Sequence, residues 1–99
     1  MKKELFAITT YCTLQGVEHS FITSLKEEGL IEITMDNEDE FIEEEQLHDL
    51  EIYTRLYHEM GINTAGIDAI RHLVHKLKET QAELNSLKNR LKFYEEGFE

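Results

Sequence analysis

Apolar positions along the chain change period several times, from strand-like to helical and back, and each change marks an element. Residues 5–8 (LFAI) form a short apolar run that predicts a first strand. Thr9 or Thr10 can then cap a short helix to about Gln15, carrying Tyr11, Cys12 and Leu14, and Gly16 ends it. Residues 18–28 predict a second helix with Phe21, Ile22 and Leu25 on one face. Gly29 follows where a helix often closes on a left-handed residue. Two short helices around a glycine turn suit packing at a steep angle, which is the grammar of a helix-turn-helix.

Residues 30–34 (LIEIT) alternate apolar and polar, MDNED turns the chain and EFI returns it, so a small β-hairpin, or wing, is expected. Leu47, Leu50, Tyr53, Tyr57 and Met60 recur at helical spacing, Gly61 ends that helix, and Asn63 can cap the next. The last segment has the strongest period. Leu73, Leu77, Thr80, Leu84, Leu87, Leu91, Tyr94 and Phe98 are separated alternately by four and three residues, a heptad seam with one polar interruption at Thr80. A helix from Thr64 to about Tyr94 would be roughly 45 Å long, more than a small N-terminal body can cover, so its seam calls for a partner. The expected organisation is a winged helix-turn-helix domain over residues 1–62 and a C-terminal dimerisation helix over 63–99.

Charge changes this picture. The net charge is −11 over 99 residues. Residues 1–62 hold 15 Asp and Glu against Lys2, Lys3, Lys26 and Arg55, while residues 63–99 hold six acids and six bases, so all the net charge lies in the first two-thirds. A field of that sign repels phosphate and draws in basic partners. With 40% hydrophobic residues the chain can still bury a modest core. The one cysteine, Cys12, allows no intramolecular disulfide, which fits a reducing, cytoplasmic setting. The start MKKELFAITTYC reads as no signal peptide, and no apolar run is long enough for a membrane span.

Candidate chemistry is sparse. His72 and His75 share a helix at i, i+3, but Arg71 and Lys76 flank them and no cysteine is near, so no metal site is expected. Cys12 reads as a small core residue. GxxxxGK[ST], GxGxxG and GxSxG motifs are absent from the sequence. Carboxylate runs such as EDEFIEEE signal a solvated face. Neither an enzyme nor a cofactor is expected. Nucleic acid is disfavoured as well. The second helix, EHSFITSLKEE, offers Lys26 against Glu18, Glu27 and Glu28, and the wing where phosphate would sit is the most acidic stretch in the chain.

The order of elements carries a resemblance. Gly29-Leu30-Ile31 after the second helix, the segment His58-Glu59-Met60-Gly61-Ile62-Asn63, and the coil HLVHKLKETQAELNSLKNRLKFY together resemble the MerR-like winged-helix proteins. Within them the chain looks most like the chaperone-modulator branch, the CbpM-like proteins of bacteria, over residues 5–94. The fold so implied is mainly α: a MerR-like winged helix-turn-helix with a small β-hairpin wing and a long C-terminal coiled-coil helix. Typical MerR transcription factors carry an Arg-Tyr-Tyr set in the reading helix. Here the matching positions are Thr23, Ser24 and Leu25, so the DNA-contacting groups are missing. Metal-sensing members place cysteines around the long helix, and this chain has none there.

The resemblance implies a partner: the J domain of a DnaJ-like co-chaperone of the CbpA type, bound and inhibited, through the basic second helix that normally docks on Hsp70. The acidic residues expected to meet it are Asp36, Glu38, Asp39, Glu40, Glu43, Glu44 and Glu45, with Glu27, Glu28 and Glu32 close behind. Leu73, Leu77, Leu84, Leu87, Leu91 and Tyr94 are expected to form a homodimer, antiparallel as in MerR-type relatives. Two rivals stand beside this: a transcriptional regulator with weak or partner-assisted DNA binding, and a purely structural coiled-coil adaptor.

Overall fold

A computed structural model describes residues 4–97. It is mainly helical with one small sheet. Strand β1 (Leu5–Ala7) leads directly into helix α1 (Ile8–Gln15), then α2 (His19–Glu27), strands β2 (Thr34–Asp36) and β3 (Asp39–Glu43), helix α3 (Leu47–Met60) and helix α4 (Thr64–Gly97). A single 3-10 turn, Glu44–Gln46, joins β3 to α3. The winged helix-turn-helix and the long C-terminal helix expected from the sequence are both present. Phe98, the last expected seam position, lies outside the described residues, as do Lys2 and Lys3 of the charge count.

The chain divides into two compact units, Met1–Asp68 and Ala69–Glu99. In the first, the core is built from Ile8, Ile22, Leu25, Ile42, Leu50 and Ile67, each fully buried. Side chains of this size contribute about 1.5–3 kcal/mol each when fully buried. They come from α1, α2, β3, α3 and the first turn of α4, so one core holds the helix pair α1 and α2 to the wing. Tyr11, Val17, Phe21, Leu30, Ile31 and Tyr53 complete it.

Helix α1 begins two residues earlier than a Thr9 cap would place it, and three earlier than a Thr10 cap would. Ala7 is the N-cap and no side chain caps the helix; Thr9 and Thr10 are exposed in its first turn. Burying Ile8 is worth more than a threonine cap, and β1 runs into the helix with no residue to spare. Leu14, carried on the same helix as Tyr11 and Cys12, points to solvent.

The wing is a correction of register. Residues 30–33 are not in a strand, and β2 starts only at Thr34. Gly29 takes a left-handed φ of 75°, and the Leu30 N–H donates back to the Leu25 carbonyl at 2.9 Å, closing α2. This closure seats Leu30 and Ile31 in the core side by side, where a strand would send them to opposite faces. The Glu32 backbone is then held by the Gln46 side chain, which accepts from its N–H at 2.8 Å and donates to its carbonyl at 3.0 Å. The hairpin turns on Asn37 and Glu38, at φ 51° and 68°, between the paired Asp36 and Asp39. Strand β1 pairs antiparallel with the far side of β3, giving the order β1-β3-β2.

Helix α4 is opened by the expected Asn63 cap, whose Oδ1 accepts from the Gly66 N–H at 2.8 Å. Gly66 is confined by that cap: a Cβ there would lie 2.8 Å from Ile62 Cγ2 and 3.2 Å from Asn63 Oδ1.

Candidate protein-docking surface

Glycine and apolar residues fix where the charged side chains point. On α2, Phe21, Ile22 and Leu25 turn inward, leaving His19, Ser20, Lys26, Glu27 and Glu28 exposed and Thr23 and Ser24 half-buried. Of the positions matched to an Arg-Tyr-Tyr reading set, Leu25 is therefore wholly in the core. Lys26 is the only Lys or Arg between residues 4 and 54, against 14 Asp and Glu.

Nine of the ten expected acidic residues fall in three places. Asp36, Glu38 and Asp39 stand exposed at the hairpin tip, with Asp36 and Asp39 directly opposite each other across the strands. Like charges so paired destabilise a hairpin slightly, a cost that an acidic tip retains. Glu32, Glu43 and Glu45 line one groove of about 400 Å³ with Gly29, Leu30, Ile31 and Gln46. Glu44 sits between two of these lining residues, its backbone N–H bonded to the Glu4 carbonyl at 3.0 Å. Glu27 and Glu28 are exposed at the end of α2, just before the groove's Gly29. Glu44 and Glu45 also open the 3-10 turn ahead of α3, where carboxylates favour a helix start.

Glu40 differs from the rest. Strand alternation puts it on the same side as Ile42, facing α2, where its Oε1 lies 2.5 Å from His19 Nε2. The other ring nitrogen of His19 approaches Thr23 Oγ1 at 3.4 Å. Sequence reading missed His19 and Gln46. Both act on residues 14 to 21 positions away, and neither carries a local pattern that would announce it.

Cys12 is half-buried against the core. Burial raises its thiol above the ordinary value, with Glu40 adding a smaller push in the same direction. A thiol kept protonated in this way is a poor nucleophile. Among the described residues no three His, Cys, Asp or Glu side chains group so as to hold a metal ion, and no helix is long and apolar enough to cross a membrane.

In the second unit every residue from 71 to 97 is exposed. The expected seam stands out on that helix: Leu73 is 69% exposed, Leu77 68%, Leu84 44%, Leu87 59%, Leu91 60% and Tyr94 59%. Thr80, its polar interruption, donates its hydroxyl to the Lys76 carbonyl at 2.9 Å, so that group is already satisfied within its own helix.

Residues 6–89 match the family model described as MerR HTH family regulatory protein. The chain belongs to the MerR helix-turn-helix family. No curated protein and no solved structure matches it. In this MerR-family protein α2 and the wing present carboxylates and hydroxyls, where a phosphate-binding surface needs cations.

Proposed function

We propose that this MerR-family protein is a chaperone modulator of the CbpM-like kind. It binds the J domain of a DnaJ/CbpA-like co-chaperone through its acidic surface, inhibits that co-chaperone's work with Hsp70, and acts as a homodimer joined through α4. One observation carries the reading: a helix-turn-helix and wing with 14 acids and a single Lys or Arg over residues 4–54. That surface is complementary to a basic helix and repels a polyanion. Opposite potentials speed encounter and set orientation, while a few apolar contacts supply most of the affinity. The partner's name comes from the family resemblance; the charge complementarity comes from this chain.

The test is a titration of the protein into the labelled J domain of its own host's co-chaperone, at low and at high salt. Saturable binding that weakens with salt, and is lost on reversing Asp36, Glu38 and Asp39 to Lys, supports the reading. Absence of binding at both salt concentrations overturns it.

Family membership itself favours a second reading, a transcriptional regulator with weak or partner-assisted DNA binding. Salt-sensitive binding to duplex DNA, retained when the J domain is absent, would select it.

A further inference from the structure

The small sheet has two faces, and Ile42 marks the one that meets the core. Strand alternation sends this fully buried residue inward together with Phe6, its partner on β1. The opposite face then carries Leu5, Ala7, Phe41 and Thr34, with Ala7, Phe41 and Thr34 in one row across the three strands. Phe41 and Leu5 belong neither to the buried core nor to the side chains packed against it. Phe41 is half-buried and Leu5 is 37% exposed. Asp39, two residues from Phe41 on β3, lies on this face too, with Asp36 directly opposite it.

An apolar row open to water and a like-charge pair are two separate costs on one face. An apolar surface with a cation beside it relieves both. The dimensions say what kind of surface fits. Three strands span roughly 10 Å at about 4.8 Å between neighbours, and one helix with its side chains is about 10–12 Å wide. Strand β3 has five residues, so it is about 17 Å long, or about three turns of helix. Asp39 and Phe41 are roughly 7 Å apart along the strand, and helix positions i and i+4 are about 6 Å apart along the axis.

We infer that the outer face of the sheet seats one basic amphipathic helix of the partner, lying along β3. An apolar side chain rests on Phe41, and a Lys or Arg one turn away reaches Asp36 and Asp39. The inference rests on the protein-docking reading above and gives that reading its apolar contacts and its place. Other occupants meet the wrong charge. Acids stand at both ends of the row, since Glu43 is opposite Leu5, so a second copy seated here would bring carboxylates against carboxylates. Nucleic acid would meet them with phosphate.

The test titrates the full chain with two labelled probes, each at low and high salt: the host's J domain, and a synthetic helical peptide of lysine and leucine with the leucines on one face. Phe41→Ser should weaken both probes on the order of tenfold at either salt concentration, because it removes an apolar contact. Thr34→Lys puts a cation into the row on an edge strand that tolerates it, and should weaken both as well. Asp36→Asn with Asp39→Asn should weaken both a few-fold, mainly at low salt. Glu83→Gln on α4, with the same kind of charge loss, should change neither. Circular dichroism checks the fold of each variant, and Thr34→Lys decides if Phe41→Ser does not fold. If the J domain binds and neither substitution in the row weakens it, the inference falls and the docking reading stands. If the J domain does not bind, the docking reading falls, and the peptide decides whether the face seats a basic helix. A change of oligomeric state in Phe41→Ser, read by sedimentation equilibrium, gives the face to a second copy and overturns the inference.

Discussion

His19 Nε2 lies 2.5 Å from Glu40 Oε1, joining the first residue of α2 to the second residue of β3. This contact separates Glu40 from its acidic neighbours: it serves the helix-to-wing junction, while Asp36, Glu38 and Asp39 face solvent. His19 is 54% exposed and Glu40 29%, so water screens the pair. Glu40→Gln should therefore cost under about 1 kcal/mol in urea unfolding. Its effect on J-domain affinity should be smaller than that of Asp39→Asn, measured in the same titration. A larger loss from Glu40→Gln would place Glu40 in the interface and His19 as a mere neighbour.

The Tyr11 and Thr54 hydroxyls meet at 2.8 Å inside the core, 43 residues apart in sequence. Thr54 already donates its only proton to the Leu50 carbonyl at 2.8 Å, so Tyr11 is the donor of the shared bond. Thr54→Val leaves the buried Tyr11 hydroxyl without an acceptor and should cost about 1–3 kcal/mol. Tyr11→Phe removes the donor and should cost about 1 kcal/mol. The double variant should lose less than the two single losses combined, which a urea double-mutant cycle reads directly.

The same tyrosine gives the protein an alkaline limit. Burial raises the Tyr11 hydroxyl above its ordinary value of 10.0, outweighing the opposite pull of the Thr54 bond. The unfolded chain then releases this proton at lower pH than the folded one does. The contribution is thus fully present below the ordinary tyrosine range and is lost as pH rises through 10.0 toward the folded value. Cys12, raised above 9.0, acts in the same sense somewhat earlier. Tyr11→Phe should flatten the fall in unfolding free energy above pH 10, leaving the part due to Cys12. An unchanged slope in urea melts across that range would refute this origin.

If α4 pairs through its seam, Leu84→Glu with Leu87→Glu should leave a monomer by light scattering. Both side chains are exposed in the single chain, so the charges cost the fold little and fall on the interface. A dimer of unchanged mass would remove these residues from the interface.

What the sequence makes legible is what depends on neighbours in the chain. The heptad spacing of α4, the Phe21, Ile22 and Leu25 face of α2, the closing Gly29 and the Asn63 cap all follow from residues three or four apart. The wing register does not, because it turns on two competing claims to the backbone of residues 30–32. The closure of α2 takes the Leu30 N–H and Gln46 takes the Glu32 backbone, so LIEIT has alternation without a ladder to join. The acidic surface is legible as charge, but its division into tip, groove and the buttressed Glu40 depends on contacts 14 to 21 residues apart, and these need the fold.

Glu38 shows where stability and docking should pull against each other. With Asn37 at φ 51° and Glu38 at φ 68°, the turn has the two left-handed central residues of a type I′ hairpin. Asparagine accepts that conformation at its position; glutamate at the next pays for its Cβ, and glycine would not. Glu38→Gly should stabilise the protein by about 1 kcal/mol, seen as a higher urea midpoint at unchanged m-value. The same change removes a carboxylate from the tip of the wing, between Asp36 and Asp39, so affinity for a J domain should fall by a few-fold, most clearly at low salt. Glu38→Asn keeps the favoured backbone but not the charge, and should share the weaker binding with a smaller gain in stability. If Glu38→Gly gains stability and binding is unchanged at low salt, the wing tip is a strained turn only, and the docking carboxylates must be sought in the groove of Glu32, Glu43 and Glu45.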